Sequence, residues 1–444
     1  MRRSIERAGC TVCGLAVLVW ALLLGGCARS LPGQRLLYDV TLSDTTISPN
    51  ADGDTDVTRI EYKLRRNATL SIYVVDEQGG THYFRQERPR SRTMGGQTYR
   101  VDFGGVIPVE VDGLRQDRVL PDGKYTLVVE ARPQDAAASA TDQHEFPFEV
   151  VEADTTPPQM EGFALDRHLF TPNRDGVDDR VKIIYYLTKE ASTSVYLVQG
   201  ETRYPIERDP TNSATKDGDP GPYYYDYEGG VDRGAEPPPD GVYTVVAMAE
   251  DRVGNKTTIT DTLEIRDGGV PRATIVGLEW QVSDTTVPLG GTLYFTATVE
   301  NYGTTPIRTT GPEPGTEYTT EWNAATLGHY ASSGAFRFGL GFDNSAVGDY
   351  PWRWSLGRHS ELQAVQRGDE TLYYLLPGQR ALVYGSVRML SPPPRNPTSF
   401  WAGLIHEDVE IVEARVDPKS VTVEVEPDGA WGVVATATPI VKTP

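Results

Sequence analysis

Cysteine is scarce in this chain, and positive charge is in short supply. Only three of the 444 residues are cysteine, so a chain that begins at Cys27 keeps a single thiol and forms no internal disulfide. The 42 Lys and Arg are outnumbered by 62 Asp and Glu, which gives a net charge of −20. Because nucleic-acid binding relies on cations that displace counterions from phosphates, this balance argues against nucleic acid as a partner.

Long segments with apolar residues at helical spacing are missing after residue 30. In their place are short alternating runs rich in Thr, Val and Tyr, such as 59–64 and 71–75. Turn residues separate these runs at roughly 8–12-residue spacing, which is typical of antiparallel β-sandwiches. The length is sufficient for about three domains, so we predict an all-β chain of tandem sandwiches.

The N-terminus has the order of charged and apolar residues that is typical of a secretory signal. Three arginines within the first seven residues precede an uncharged stretch that ends in Leu-Gly-Gly-Cys at 24–27. That tetrapeptide resembles the lipobox. The resemblance implies removal of residues 1–26, acylation of Cys27, and attachment to the cell envelope on the extracytoplasmic side of a membrane. A plain anchor helix and an ordinary cleavable signal are the alternatives.

An internal repeat is the strongest pattern in the chain. Pro-Asn-x-Asp-Gly at 49–53 recurs at 172–176, and Pro-Asp-Gly-x-Tyr-Thr at 121–126 recurs at 239–244. The register between these motifs is constant, so the same strands follow the same turn in both copies. Alternation along the first copy predicts that three of its side chains are buried, namely Tyr62, Leu64 and Ile72.

These motifs resemble the immunoglobulin-like domains of the flagellar hook-cap (FlgD) type, which occur in many secreted and surface-attached bacterial proteins. Further on, Val-x-Asn-x-Gly at 299–303 and Pro-Gly-Gln at 377–379 resemble adhesion-type (CARDB) immunoglobulin-like domains, with a long aromatic-rich insertion between the two features. The predicted organisation is a leader at 1–26, a linker at 27–38, hook-cap-like domains at 39–154 and 157–268, a third β-sandwich at 271–427, and a flexible tail at 428–444.

Two acidic turns contain closely spaced oxygen side chains around a glycine. The candidate ligands are Asn50, Asp52, Asp54 and Asp56 in the first copy, and Asn173, Asp175, Asp178 and Asp179 in the second. Hard oxygen ligands of this kind suit calcium, the one cofactor that the sequence suggests. The EF-hand pattern is not matched, because Val57 and Lys63 occupy its sixth and twelfth positions. An Asx-turn that needs no metal explains the same residues.

The insertion in the third domain supplies three candidate ligand-binding indoles, at Trp322, Trp352 and Trp354. If their segment is extended, Trp352 and Trp354 lie on one face, because side chains alternate with period two in a strand. An exposed face of this type stacks on sugar rings, whereas a buried one belongs to a sandwich core. The core is the favoured interpretation, since large aromatic side chains are usually buried.

No pattern of catalytic residues is complete. The segment 406–410 begins like a zincin motif but lacks the second histidine, and its alternation predicts a solvated strand edge. We therefore predict a non-enzymatic surface lipoprotein that serves as a spacer and as an adhesion or protein-interaction scaffold. The alternative is a lipoprotein that binds carbohydrate or cell wall through the third domain. An extracellular hydrolase or its accessory subunit is a third possibility.

Overall fold

The computed structural model describes residues 35–134, 141–208, 215–281, 285–346 and 348–425. Over these ranges the chain is all-β, as predicted, with short 3-10 turns at Val231–Arg233, Ala325–Leu327 and His359–Glu361. No helix within the described ranges has the length and hydropathy to cross a membrane. The predicted leader, Cys27 and the 428–444 tail lie outside the described residues.

The described residues before 155 form ten strands. They are β1 (Leu37–Leu42), β2 (Thr46–Ile47), β3 (Thr58–Leu64), β4 (Ala68–Asp76), β5 (Thr81–Arg90), β6 (Tyr99–Phe103), β7 (Val106–Val111), β8 (Leu114–Val119), β9 (Gly123–Pro133) and β10 (Asp142–Val150). One sheet has the order β1-β3-β6, and a second has the order β2-β10-β9-β4-β5, with β2 parallel to β10. Both sheets contribute to one core, in which Tyr62, Leu64 and Ile72 are buried as predicted.

In the second repeat, the part that the structure describes forms eight strands. They are β11 (Met160–Leu165), β12 (Leu169–Phe170), β13 (Val181–Leu187), β14 (Ser192–Gln199), β15 (Thr202–Ile206), β16 (Gly221–Tyr227), β17 (Gly241–Glu250) and β18 (Lys256–Ile265). The order β11-β13-β16 reproduces β1-β3-β6. The order β15-β14-β17-β18, with β12 parallel to β18, reproduces the second sheet of the first repeat. The same sequence motifs therefore specify the same strand pairing.

A tyrosine near the end of each repeat makes the same contact. The phenol of Tyr125 donates to the carbonyl of Pro121 at 2.8 Å, and that of Tyr243 donates to the carbonyl of Pro239 at 2.5 Å. In both copies the Pro-Asp-Gly turn lies between the two partners. The hydrogen bond fixes the turn to the strand that follows it, as a tyrosine corner does in other β-sandwiches.

Twelve strands are formed by the residues of the third sandwich within the described ranges. They are β19 (Ala273–Gln281), β20 (Thr286–Pro288), β21 (Thr292–Asn301), β22 (Ile307–Thr309), β23 (Glu317–Thr319), β24 (Phe336–Phe342), β25 (Trp352–Ser355), β26 (Gln363–Arg367), β27 (Glu370–Leu375), β28 (Arg380–Arg388), β29 (Thr398–His406) and β30 (Glu410–Glu424). Its sheets have the orders β19-β21-β28-β23 and β20-β30-β29-β24-β22-β27-β26, with β25 beside β24. Strands β23 to β27 come from the aromatic-rich insertion, which therefore builds the sandwich itself.

The chain forms two compact units. The first extends to Pro158 and includes Glu250–Thr257, and the second contains Gln159–Ala249 and the residues from Thr258 onward. Within the first unit Asn255 is fully buried, where it accepts the N–H of Val119 at 2.8 Å and donates to the carbonyl of Asp154 at 2.9 Å. The second unit holds most of the second repeat and the whole third sandwich.

Candidate functional site

The first acidic turn is held by its own hydrogen bonds. The carboxylate of Asp56 accepts the backbone N–H groups of residues 50, 51 and 53 at 3.1, 2.8 and 2.9 Å. The side chains of Asn50 and Asp52 accept the N–H groups two residues on, at 2.9 and 2.8 Å. These are Asx-turn contacts, and they account for the tight loop. Residues 51–55 are exposed.

The second acidic turn has the same internal geometry in a different environment. Asp179, the counterpart of Asp56, accepts the N–H groups of residues 173, 175 and 176 at 3.3, 3.2 and 2.7 Å. Here, however, Asn173 and Asp175 are only 3% and 4% exposed. The turn is therefore buried against another part of the second unit.

The third sandwich provides the groups that cover this turn. The phenol of Tyr374 donates to the carboxylate of Asp175 at 3.0 Å, and Nε of Arg308 donates to the carbonyl of the same residue at 2.6 Å. Nε2 of His406 donates to the carbonyl of Arg174 at 2.8 Å. We call this set of five residues the domain joint. Its partners lie more than 130 positions apart in the chain, so no local sequence pattern indicates it.

Two glycines permit close backbone approach at the domain joint. A Cβ on Gly334 would lie 2.2 Å from the carbonyl carbon of Asp175, and a Cβ on Gly176 would lie 2.2 Å from the carbonyl oxygen of Ser333. In the first repeat the equivalent Gly53 has nothing within 4 Å of its added Cβ. All three glycines have positive φ, so the turn conformation is common to both copies and the close packing is specific to the second.

Burial shifts the pKa values of the ionisable groups at the domain joint. Desolvation, with the nearby Asp179 carboxylate as a second cause, raises the pKa of Asp175 to about 6. Desolvation also raises the pKa of Tyr374 and lowers that of His406 to about 4. Tyr374 and His406 are therefore neutral hydrogen-bond donors at pH 7.

A buried ion-pair network lies directly behind the domain joint. Glu407 is 2% exposed. Both oxygen atoms of its carboxylate accept hydrogen bonds from Nη1 of Arg353, each at 2.8 Å. Arg337 is also 2% exposed, and its guanidinium lies 3.4 Å from the same carboxylate. Burial is the main cause that lowers the pKa of Arg337. The predicted solvated strand edge at 406–410 is therefore wrong for His406 and Glu407, because tertiary packing buries both.

The candidate calcium ligands of the acidic turns do not form a metal-binding cluster among the described residues. Among the described residues, no group of three or more His, Cys, Asp or Glu side chains is placed to hold a metal ion. In the first repeat, Asn50, Asp52 and Asp56 accept backbone N–H groups, and Asp54 is exposed beside them. In the second, Asn173 and Asp179 accept backbone N–H groups, Asp175 also binds Tyr374, and Asp178 pairs with Arg167 and Arg367. Apart from Asp54, the candidate ligands therefore already engage backbone N–H groups, Tyr374 or arginine side chains.

Two of the three candidate ligand-binding tryptophans are core residues. Trp352 is 2% exposed and Trp354 is fully buried, and their indole N–H groups donate to the carbonyls of Trp322 and Thr316 at 2.8 and 3.0 Å. The ligand-binding assignment of Trp352 and Trp354 is therefore corrected, because a buried indole cannot stack on a sugar. Trp322 is 49% exposed and lies in the connection between β23 and β24.

An exposed apolar surface lies on the opposite side of the second repeat's three-stranded sheet from its core. Ile184 and Tyr186 point outward from β13. On the paired strand β16, Tyr224 lies opposite Ile184 and Pro222 lies opposite Tyr186. We call these four residues the outer face. The inward positions, which the two repeats share, do not reveal this surface. Comparison of the outward positions provides the signal, since Ile184 and Tyr186 correspond to Glu61 and Lys63.

Comparisons with known proteins leave the family open. No family model matches the chain, and no curated protein matches it. Among solved structures, Escherichia coli alpha-2-macroglobulin is 12% identical with a TM-score of 0.18, over 88% of this chain and 23% of that one. A 1.5-MDa bacterial ice-binding adhesin is 11% identical with a TM-score of 0.18, over 80% and 97%. The glucan utilization locus protein SGBP-B of Bacteroides ovatus is 12% identical with a TM-score of 0.16, over 86% and 65%. At these TM-scores the likenesses carry no argument about function.

Proposed function

We propose that the protein is a non-enzymatic lipoprotein of the bacterial cell envelope, anchored through Cys27, that acts as a spacer and interaction scaffold on the extracytoplasmic side. The Leu-Gly-Gly-Cys motif supports the anchor, and the succession of β-sandwiches supports the spacer. The observation that carries the proposal is the domain joint, because a scaffold must hold one sandwich firmly against the next.

The domain joint is built to allow one arrangement of its two sandwiches. Sliding the second repeat against the third sandwich would separate Asp175 from Tyr374 and His406 from its carbonyl partner. Each of these groups would then be buried without a hydrogen bond, which costs roughly 1–3 kcal/mol per group. The glycine contact adds a steric limit, since the two backbones already touch there. The mechanism is therefore positional: rigid sandwiches hold a binding surface at a fixed place.

The anchor is tested by changing Cys27→Ser in the full chain. We expect the variant to leave the membrane fraction and to lose labelling by a fatty-acid analogue, because the acylated thiol is gone. Cys13→Ser is the matched control, since it changes another cysteine within the predicted leader. Unchanged labelling of the Cys27 variant refutes the anchor, and retention of an unlabelled variant in membranes indicates an uncleaved hydrophobic helix.

The non-enzymatic part of the proposal has its own test. The detergent-extracted full chain is incubated with chromogenic glycoside, ester and peptide substrates. We expect no turnover above that of a heat-unfolded sample. Reproducible turnover of any substrate by the folded chain alone would replace the scaffold with the hydrolase alternative.

A further inference from the structure

The outer face is a compact apolar patch on an otherwise acidic chain. Ile184, Tyr186 and Tyr224 are 45%, 49% and 40% exposed, and they occupy adjacent positions on two paired strands. Directly opposite residues in such a pair have Cβ atoms about 5 Å apart, and diagonal neighbours about 7–8 Å. Tyr186 and Tyr224 are diagonal neighbours on this surface, and Pro222 lies directly opposite Tyr186. Single exposed apolar residues need no explanation, whereas a cluster of them does.

The first repeat shows that the fold does not require an apolar surface here. The positions of Ile184 and Tyr224 are occupied there by Glu61 and Arg100, which form an ion pair at 2.7 Å. The next outward pair in the first repeat, Arg59 and Asp102, is also an ion pair, at 2.8 Å. The same three strands are therefore stable with charged side chains on this surface. The aromatic residues of the second repeat serve something other than folding.

The area of the outer face is too small for a stable protein interface. At roughly 200 Å² for a large side chain, Ile184, Tyr186 and Tyr224 together present about 300 Å² of surface. A stable protein complex takes about 800 Å² from each partner. A second copy of this chain, packed on these residues alone, falls well short of that area. A ligand of the width of one or two sugar rings matches it.

The charge around the outer face favours a neutral ligand. Lys182 and Glu161 flank it with opposite charges, and Asp226 at its edge is paired with Arg180 at 2.9 Å. The chain as a whole carries −20, which repels polyanions. From this geometry we infer that the outer face binds the ring faces of a neutral polysaccharide, with the apolar C–H surface of the sugar on Tyr186 and Tyr224. The phenol hydroxyls supply polar contacts at the edge of such a stack.

This inference deepens the proposed function by naming a ligand class, and it rests on that proposal for an extracytoplasmic location. The test is affinity electrophoresis of the detergent-extracted full chain through gels that contain hydroxyethyl cellulose, laminarin, arabinoxylan or galactomannan. We expect at least one of these neutral glycans to retard the protein. Tyr186→Ala and Tyr224→Ala should each weaken the retardation about tenfold, as truncation of an aromatic hot spot does.

The decisive variant copies the first repeat. Ile184→Glu combined with Tyr224→Arg introduces the ion pair that this fold already accepts at Glu61 and Arg100, so it is expected to fold and to lose binding. The control is Tyr302→Ala, which removes a 56% exposed tyrosine elsewhere and should leave binding unchanged.

Four outcomes overturn the inference. They are no retardation by any of the four neutral glycans, stronger retardation in a comparison gel that contains the polyanion polygalacturonate, full binding by the double variant, and a dimer in size-exclusion chromatography that the double variant abolishes. Because the assay uses extracted protein, a negative result leaves the anchor at Cys27 standing. Conversely, a failed Cys27→Ser test leaves glycan binding standing.

Discussion

The phenol of Tyr374 donates a hydrogen bond of 3.0 Å to the carboxylate of Asp175, 199 positions earlier in the chain. Asp175 belongs to an acidic turn whose composition suggests a calcium loop. In the structure this carboxylate accepts the phenol of the third sandwich, while the equivalent Asp52 of the first repeat is exposed. The same turn sequence is therefore an exposed loop in the first copy, whereas in the second copy it packs against the third sandwich. A substitution in the turn of the domain joint can therefore be compared with the same substitution in the turn of the first repeat.

Asp175→Asn should remove a pH dependence from the stability of the second unit. Burial raises the pKa of this carboxyl from 3.8 to about 6, so the folded state favours its neutral form. Its contribution to the free energy of unfolding is fully present below pH about 4 and is lost as the pH rises through about 6. The variant should therefore be more stable than the wild type at pH 7.5, by up to about 3 kcal/mol, and similar to it at pH 4.

Urea denaturation at both pH values measures this effect. Asp52→Asn is the matched control, because it makes the same change in the exposed turn of the first repeat. We expect the control to shift neither midpoint appreciably. A stability difference for Asp175→Asn that is the same at both pH values would show that the carboxyl is already neutral or is not buried.

Gly176→Ala should disrupt the domain joint, whereas Gly53→Ala should not. Both positions have positive φ, at +82° and +92°, so both variants pay a similar backbone cost of about 1–2 kcal/mol. Only the added Cβ at position 176 meets a neighbour, the carbonyl oxygen of Ser333, at 2.2 Å. Differential scanning calorimetry should show a larger loss for Gly176→Ala. Equal losses would mean that the glycine serves the turn alone.

Glu407→Ala should be among the most destabilising substitutions in the third sandwich. The change leaves the buried Arg337 guanidinium without its carboxylate, and breaking a buried pair in this way costs about 3–5 kcal/mol. Glu61→Ala breaks the exposed pair with Arg100 and should cost less than about 1 kcal/mol. Denaturant midpoints compare the two variants, and comparable losses would contradict the burial of Glu407.

Trp352→Ala should unfold or strongly destabilise the third sandwich. Its ring stacks against Phe342 at a centroid distance of 5.2 Å, and loss of a buried tryptophan costs about 3–5 kcal/mol. Trp322→Ala removes a half-exposed indole, and its backbone carbonyl remains available to accept a hydrogen bond. Intrinsic fluorescence during thermal unfolding reports on both variants. A tolerated Trp352→Ala would return this residue to the candidate ligand-binding set.

Calcium should leave the melting temperature of the full chain unchanged. Asp56 and Asp179 already accept three backbone N–H groups each, so a cation would have to displace the hydrogen bonds that form the turns. Millimolar calcium is therefore compared with magnesium and sodium chloride at matched ionic strength, which controls for screening. A rise with calcium alone, abolished by Asp52→Asn or Asp175→Asn, would restore the metal interpretation through ligand linkage.

Local patterns in the sequence were sufficient for the fold class and for the strand register. Alternation places Tyr62 and Leu64 inward because side chains in a strand point to opposite faces, and neighbouring residues carry all of that information. The same holds for the acidic turns, whose Asx contacts join residues at most six positions apart. It also holds for the Pro-Asp-Gly-x-Tyr corner, where donor and acceptor are four positions apart.

The environment of each turn and face depends on contacts between distant segments. Asp52 and Asp175 occupy equivalent positions in matching motifs, yet the first is exposed and the second is buried, because Tyr374 and Arg308 reach only the second. His406 and Glu407 lie on an alternating segment but are both buried by the packing of the second unit. Burial of a side chain determines its pKa, the cost of its substitution and its access to a ligand. Burial is a property of the assembled fold, because it depends on which distant segments of the chain exclude water from that side chain.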